Sequence, residues 1–133
     1  YVDPRWSFGV TVSVGPGCEQ IVLDAHDKLV EVNPDYRIVQ IKEKFGTLRY
    51  YVTGVEWERQ KEIIQAAELA SAQTCEECGT QENVSTATLG KGYYWIFTLC
   101  DACRATRLVE RQARDAELAE KYGADADDDD EDV

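Results

Sequence analysis

The chain has no methionine, one histidine and three prolines in 133 residues, and it sets 14 Lys and Arg against 26 Asp and Glu. Each shortage removes a class of function. With His26 as the sole imidazole, a second, histidine-bearing metal site of the nuclease kind cannot be assembled. No apolar run approaches the roughly 20 residues that a membrane-spanning helix needs, and no secretory leader is visible. Neither a glycine-rich phosphate loop nor a nucleophile elbow occurs. A chain that opens on Tyr1 without any methionine is expected to be a processed or trimmed product.

Against these absences stand five cysteines, four of them in two identical pairs, Cys75-x2-Cys78 and Cys100-x2-Cys103, with 21 residues between the pairs. A Cys-x2-Cys turn converges two thiolates on one ion, and two such turns complete a tetrahedral all-sulfur site suited to one structural Zn²⁺. Gly79 follows the first pair, where a turn around a metal often needs positive φ. Two disulfides or four unrelated buried thiols are the alternatives. Metal-ligand spacing favours a reducing compartment, so the cytoplasm is the expected location.

The net charge of −12 is unevenly spread. Asp125, Asp127, Asp128, Asp129, Asp130, Glu131 and Asp132 hold seven of the negative charges, which leaves −5 for the rest. Such a run cannot bury enough surface to offset its ordering entropy, so 124–133 is expected to be a solvated tail. It either solubilises the chain, attracts a basic partner or imitates nucleic-acid phosphates.

Alternation of Phe8, Val10, Val12 and Val14 predicts a strand over 8–14, broken by Gly15-Pro16-Gly17. Ile21, Ala25, Leu29 and Val32 form one face of a helix over 18–32, stopped by Asn33-Pro34. Segments 36–44 and 47–53 read as a hairpin turning at Phe45-Gly46, with Phe45 in the core or an interface. A helix is expected over 55–73, with Val55, Ile63, Ala67 and Ala70 as its stripe. A second hairpin follows, Val84–Thr88 with Tyr93–Leu99, turning at Gly90-Lys91-Gly92. Strong helix formers then fill 101–122 up to Gly123. The fold class is α+β, divided into a helix-and-hairpin body (1–73), a zinc ribbon with C-terminal helix (74–123) and the acidic tail (124–133).

The run Pro34-Asp35-Tyr36-Arg37, Gln40, Lys42-Glu43-Lys44-Phe45-Gly46 and Leu48-Arg49 precedes Thr74-Cys75-Glu76-x-Cys78-Gly79 and Leu99-Cys100-Asp101-x-Cys103. In these segments, spanning roughly 15–104, the chain resembles a group of small uncharacterised bacterial and phage zinc-ribbon proteins. The resemblance implies a shared fold, zinc, and a phage or mobile-element origin. It brings no activity and no catalytic residue.

Four thiolates saturate zinc and leave no open position for water, so an enzyme is not expected. His26 reads as an exposed helix residue. Cys18, at a helix N-terminus, would have a lowered pKa, but no base accompanies it and a structural role is favoured. Arg37, Lys42, Lys44 and Arg49 cluster on the first hairpin; strict alternation splits the charges of 36–44 between two faces, and the simplest role is edge protection. Arg104, Arg107, Arg111 and Arg114 recur at +3, +4, +3 as one ridge. That ridge is either a solvated face paired with Glu110 and Glu117 or a docking surface for an acidic ligand or the chain's own tail. Tyr93, Tyr94, Trp95 and Phe97 exceed what a hairpin needs to cover zinc, so Tyr94 and Trp95 join the ridge as candidate partner contacts. The expected function is a non-catalytic protein-interaction module, such as a phage-type inhibitor of a basic host protein. The alternative is a nucleic-acid-binding ribbon using the ridge, which the net charge opposes.

Overall fold

The computed structural model describes residues 11–123, and for Thr11 and Val12 the backbone alone. The predicted strand over 8–14 therefore begins outside the described residues, as does the acidic tail. The described part is β1 (Thr11–Ser13). A short 3₁₀ turn, Pro16–Cys18, leads into α1 (Glu19–Val32), followed by β2 (Arg37–Lys44), β3 (Thr47–Thr53) and α2 (Trp57–Ser71). The second unit holds β4 (Val84–Ala87), β5 (Phe97–Cys100) and α3 (Asp101–Tyr122). The fold is α+β: the described residues form a three-stranded sheet ordered β1-β2-β3, a two-stranded sheet and three α-helices.

The first core lies between the sheet and the paired helices α1 and α2. Leu29, Ile41, Leu48, Tyr36 and Tyr50 are essentially sealed from water there, with Val22, Ile38, Ile63 and Ile64 around them. The α1 stripe sits about one residue from its predicted centre. Val22, Ala25, His26 and Leu29 point inward, while Ile21 and Val32 pack at its margin. His26, expected in solvent, is only 2% exposed. Its Nδ1 meets the Tyr36 hydroxyl, which in turn lies 2.9 Å from the Tyr50 hydroxyl. Burial of an imidazole on an apolar face is tolerable because these polar groups satisfy one another.

β3 is an edge strand, and α2 covers that edge with side chains. Ser71 Oγ accepts the Leu48 N–H at 2.9 Å, and Gln60 Nε2 donates to the Val52 carbonyl at 3.0 Å. Edge groups that would otherwise invite another strand are thus closed within the chain.

β2 runs parallel to β1 and antiparallel to β3, and it carries a bulge between Ile38 and Gln40. Arg37 pairs with Thr53 and Ile38 with Val52, while Gln40 pairs with Tyr51 and Lys42 with Arg49. Val39 is the supernumerary residue. The bulge overturns the strict alternation expected from the sequence. Arg37, Gln40, Lys42 and Lys44 share the solvent face with Thr47, Arg49, Tyr51 and Thr53, and Ile38, Ile41, Leu48, Tyr50 and Val52 take the core face. The edge-protection role also fails for the lysines, because β2 is the central strand.

The turn lies where expected, with Phe45 at φ 54° and Gly46 at φ 83°. Both central residues of such a two-residue hairpin turn need positive φ, which glycine accepts and a phenylalanine resists. The geometry swings Phe45 outward; it is 64% exposed rather than in the core.

The two units meet along a docked backbone. Gly17 N–H donates to the Glu76 carbonyl at 2.7 Å, and a methyl at Gly17 would overlap the Cys75 carbonyl oxygen. On the other side of the junction the Thr98 hydroxyl donates to the Gly46 carbonyl. Replacing Tyr36 by Phe removes the hydroxyl that joins His26 to Tyr50 without altering shape. Denaturant unfolding of Tyr36→Phe is expected to show a loss of about 1–3 kcal/mol; an unchanged midpoint would show that the buried network carries no stability.

Candidate metal centre and the surface around it

The sulfurs of Cys75, Cys78, Cys100 and Cys103 all lie within 4.8 Å of one another, so these four residues could hold one metal ion. Each pair is shaped by its local backbone. In the first turn Gly79 N–H donates to the Cys75 carbonyl at 2.9 Å, Gly79 has φ 83°, and Cys78 N–H points at the Cys75 sulfur. In the second, Cys100 ends β5 and caps α3, where its sulfur accepts the Cys103 N–H at 3.4 Å. The helix start thus supplies both the chain reversal and a positive end facing the thiolates. Cys78 and Cys100 are 3.8 Å apart at sulfur, nearly twice a disulfide bond. All five cysteines are free thiols, which removes the disulfide alternative from the described structure.

Electrostatics makes the same demand for a cation. Burial pushes the Cys75 thiol up, but hydrogen bonds from the backbone of Cys100, Cys78 and Glu77 outweigh it and leave the thiol lowered to about 6. Cys103 is pushed up to about 12 by its hydrogen bond to the Cys100 sulfur, by burial and by crowding against Cys78 and Cys75. A backbone hydrogen bond from Thr80 pulls Cys78 down, yet burial and contact with Cys75 leave it above its ordinary value. Four adjacent thiols cannot all ionise by themselves, and a divalent ion at their centre deprotonates them together.

Cys18 stays outside this cluster and is not activated by its helix. Burial, followed by the negative fields of Glu76, Glu43 and Cys75, raises its pKa to about 11. The lowered pKa expected at a helix N-terminus is overturned by these surroundings, and the thiol packs at the junction as a small apolar group.

The arginine ridge divides in two. Arg104 is half-buried, and its guanidinium donates to the carbonyls of Ser85, Ala87, Thr88 and Phe97. It thereby ties α3 to both strands of the β4–β5 ladder. The predicted strand over 93–99 starts only at Phe97. Arg107 pairs with Glu76 at 3.0 Å and Glu77 at 2.7 Å and lies over the Phe97 ring. Arg111 reaches Asp115 and the Tyr93 ring, and Arg114 stands in solvent. Two of the four candidate contacts are thus structural fastenings. Sequence reasoning missed Glu76, which is buried inside the first cysteine turn and also accepts the Thr98 N–H. Nothing in its spacing signals that role.

Tyr94 and Trp95 follow the opposite course. They are 92% and 69% exposed, although the neighbouring Leu89 and Leu99 are buried. With Phe45, Ile96, Lys42 and Lys44 they line a cavity of about 320 Å³ between the hairpin tip and the ribbon loop. No helix among the described residues is long and apolar enough to cross a membrane. Comparison with protein-family models, curated proteins and solved structures finds no match.

Glu43 gives the junction a pH dependence. Burial, with the hydrogen bond and charge of Glu76, raises its carboxyl from 4.5 to about 7, against the backbone of Gly46 and the Arg107 cation, which lower it. A carboxyl raised on folding stabilises the fold while protonated, and that contribution is lost as pH rises from about 4.5 through about 7. Glu43→Gln keeps the neutral form at every pH. Urea midpoints of the variant and the parent should agree near the acid end of that window, and the variant should be the more stable above it. A gap that does not change across the window would exclude Glu43 as the source.

Proposed function

We propose that this chain is a non-catalytic zinc-stapled module that binds a protein partner through the aromatic surface at the ribbon–hairpin junction. The exposure of Tyr94, Trp95 and Phe45 around one cavity carries the reading. Solvent-facing aromatics are costly in an unbound chain and typical of interface anchors. Phe45 adds a second sign, since a bulky residue held at positive φ is a strained conformation of the kind that clusters at functional positions.

Zinc is the metal that suits the donors. Thiolates favour soft or borderline ions, and a tetrahedron with zinc–sulfur bonds of about 2.3 Å has sulfur–sulfur edges of about 3.8 Å, the spacing of Cys78 and Cys100. With all four positions filled by protein, the ion would hold the ribbon together rather than activate water. Its role is indirect: it fixes the ribbon loop beside the hairpin tip. A reducing bacterial or host cytoplasm suits four free thiolates, and an inhibitor or modulator of a host protein is the form of partner binding proposed. The −12 charge would steer the module toward a basic target at long range. The ridge-based nucleic-acid reading loses its support, since Arg104 and Arg107 are engaged within the chain.

Elemental analysis of the purified chain is expected to give one zinc, and Cys100→Ser to lose the metal together with the thermal transition of the ribbon. A zinc-free folded chain would refute the staple. For the surface, the paired substitution Tyr94→Ser with Trp95→Ser should keep zinc and fold while abolishing capture of the protein partner from host extract. Capture that survives this change would rule the aromatic junction out.

A further inference from the structure

The geometry points to the solvent face of the three-stranded sheet as a binding surface for single-stranded nucleic acid, a surface that adjoins the aromatic junction at Lys42 and Lys44 and extends from there to Arg37, Arg49 and Tyr51. Within a chain of −12, this face gathers Arg37, Lys42, Lys44 and Arg49 and receives no acidic residue from the paired positions of β2 and β3. The bulge at Val39 is what brings Arg37 onto it. Among the described residues one acidic contact touches the set, Glu68 at 3.9 Å from Arg49.

The usual structural reason for lysines on a strand does not apply, because β2 lies between β1 and β3. The same position argues against an acidic peptide as occupant. A peptide adds to a free edge or fills a groove, whereas both flanks of β2, which carries three of the four cations, are paired and the β3 edge, beside the fourth, is closed by Ser71 and Gln60; the outer edge of β1 lies away from Arg49. What remains is an open sheet face of cations with an exposed aromatic, Tyr51, set in register beside them. Sheet faces of this kind take single strands by stacking bases on rings while cations follow the phosphates. Further rings stand at both ends. Phe45 lies at the hairpin tip, and Trp57 joins Tyr51 in lining a cavity of about 340 Å³ beside β3.

Overall negative charge works against any polyanion, but only within limited range. The screening length is about 8 Å at physiological ionic strength, so acids elsewhere on the chain weaken the encounter more than the contact. The four cations set the salt dependence: a single strand loses about 0.7 in the slope of log affinity per neutralised phosphate, hence a slope of about −2 to −3.

The test is fluorescence anisotropy of labelled single strands of roughly twelve nucleotides, DNA and RNA, against the full chain with its metal, titrated upward from about 50 mM salt. Binding with that slope is expected. Arg37→Ser with Arg49→Ser should flatten the slope by about 1.4 and weaken binding about tenfold. Tyr51→Ala should weaken it about fivefold or more at unchanged slope. Metal content and circular dichroism verify the fold of each variant. No binding at low salt, or variants that bind like the parent, overturns the proposal. Equal affinity for a duplex would exclude stacking, and an acidic peptide that binds where oligonucleotides do not would reassign the face to a protein. Because Arg37, Arg49 and Tyr51 do not line the junction cavity, failure here leaves that reading standing. Loss of partner capture by the Tyr94 and Trp95 substitutions likewise leaves oligonucleotide binding in place.

Discussion

Everything in the second half of the chain depends on the convergence of four sulfurs. The buried apolar core of the ribbon consists of Leu89 and Leu99 together with Cys75 and Cys100, which are themselves members of the sulfur cluster. Two leucines and their neighbours cannot offset the ordering of some fifty residues, since fixing one backbone residue costs about 1–2 kcal/mol and burying a leucine returns about 1.5–3 kcal/mol. A metal held by the four sulfurs would change that balance, because ligation energy becomes folding energy when the site does not exist in the unfolded chain. It would fix the loop that carries Tyr94 and Trp95 and the first cysteine turn on which Gly17 sits.

The body and the ribbon are joined by main chain more than by apolar side chains. Gly17 to Glu76, Glu76 to Thr98 and Thr98 to Gly46 form a short series of hydrogen bonds that passes from the 3₁₀ turn, through the cysteine turn and β5, to the hairpin tip. Such contacts are directional and individually modest. They fix orientation, and they place the hairpin tip and the ribbon loop on opposite sides of one cavity. Glu76 and Arg107 belong to the same joint, and the Arg107–Glu76 pair is half-buried, so it holds better than an exposed pair would.

Local rules made the elements legible. Proline after Asn33, the Phe45-Gly46 turn and the glycine at 123 mark element ends with little ambiguity, and the paired cysteines declare their own convergence. What the sequence hid has three physical sources. The bulge at Val39 changes face parity, which alternation counting cannot detect. His26 is buried because two tyrosines, one of them in the following strand pair, meet it in space rather than along the chain. Arg104 and Arg107 looked like a free ridge because helix periodicity identifies a shared face but not what that face touches. In each case the missing information was a contact between residues remote in sequence.

β2 has eight residues and β3 has seven, yet the two strands match end to end. Val39 is the difference, a residue that the ladder does not count. In evolutionary terms, position 39 is a place where length is free while pattern is not. A relative one residue shorter there would keep every cation and every core residue on its own side. The same deletion two or three positions later would turn Gln40 toward the core if the bulge were lost, and would bury Arg37 and expel Ile38 if it were kept. Alignment of distant relatives should therefore admit a single gap at this point in the strand, where gaps are ordinarily forbidden.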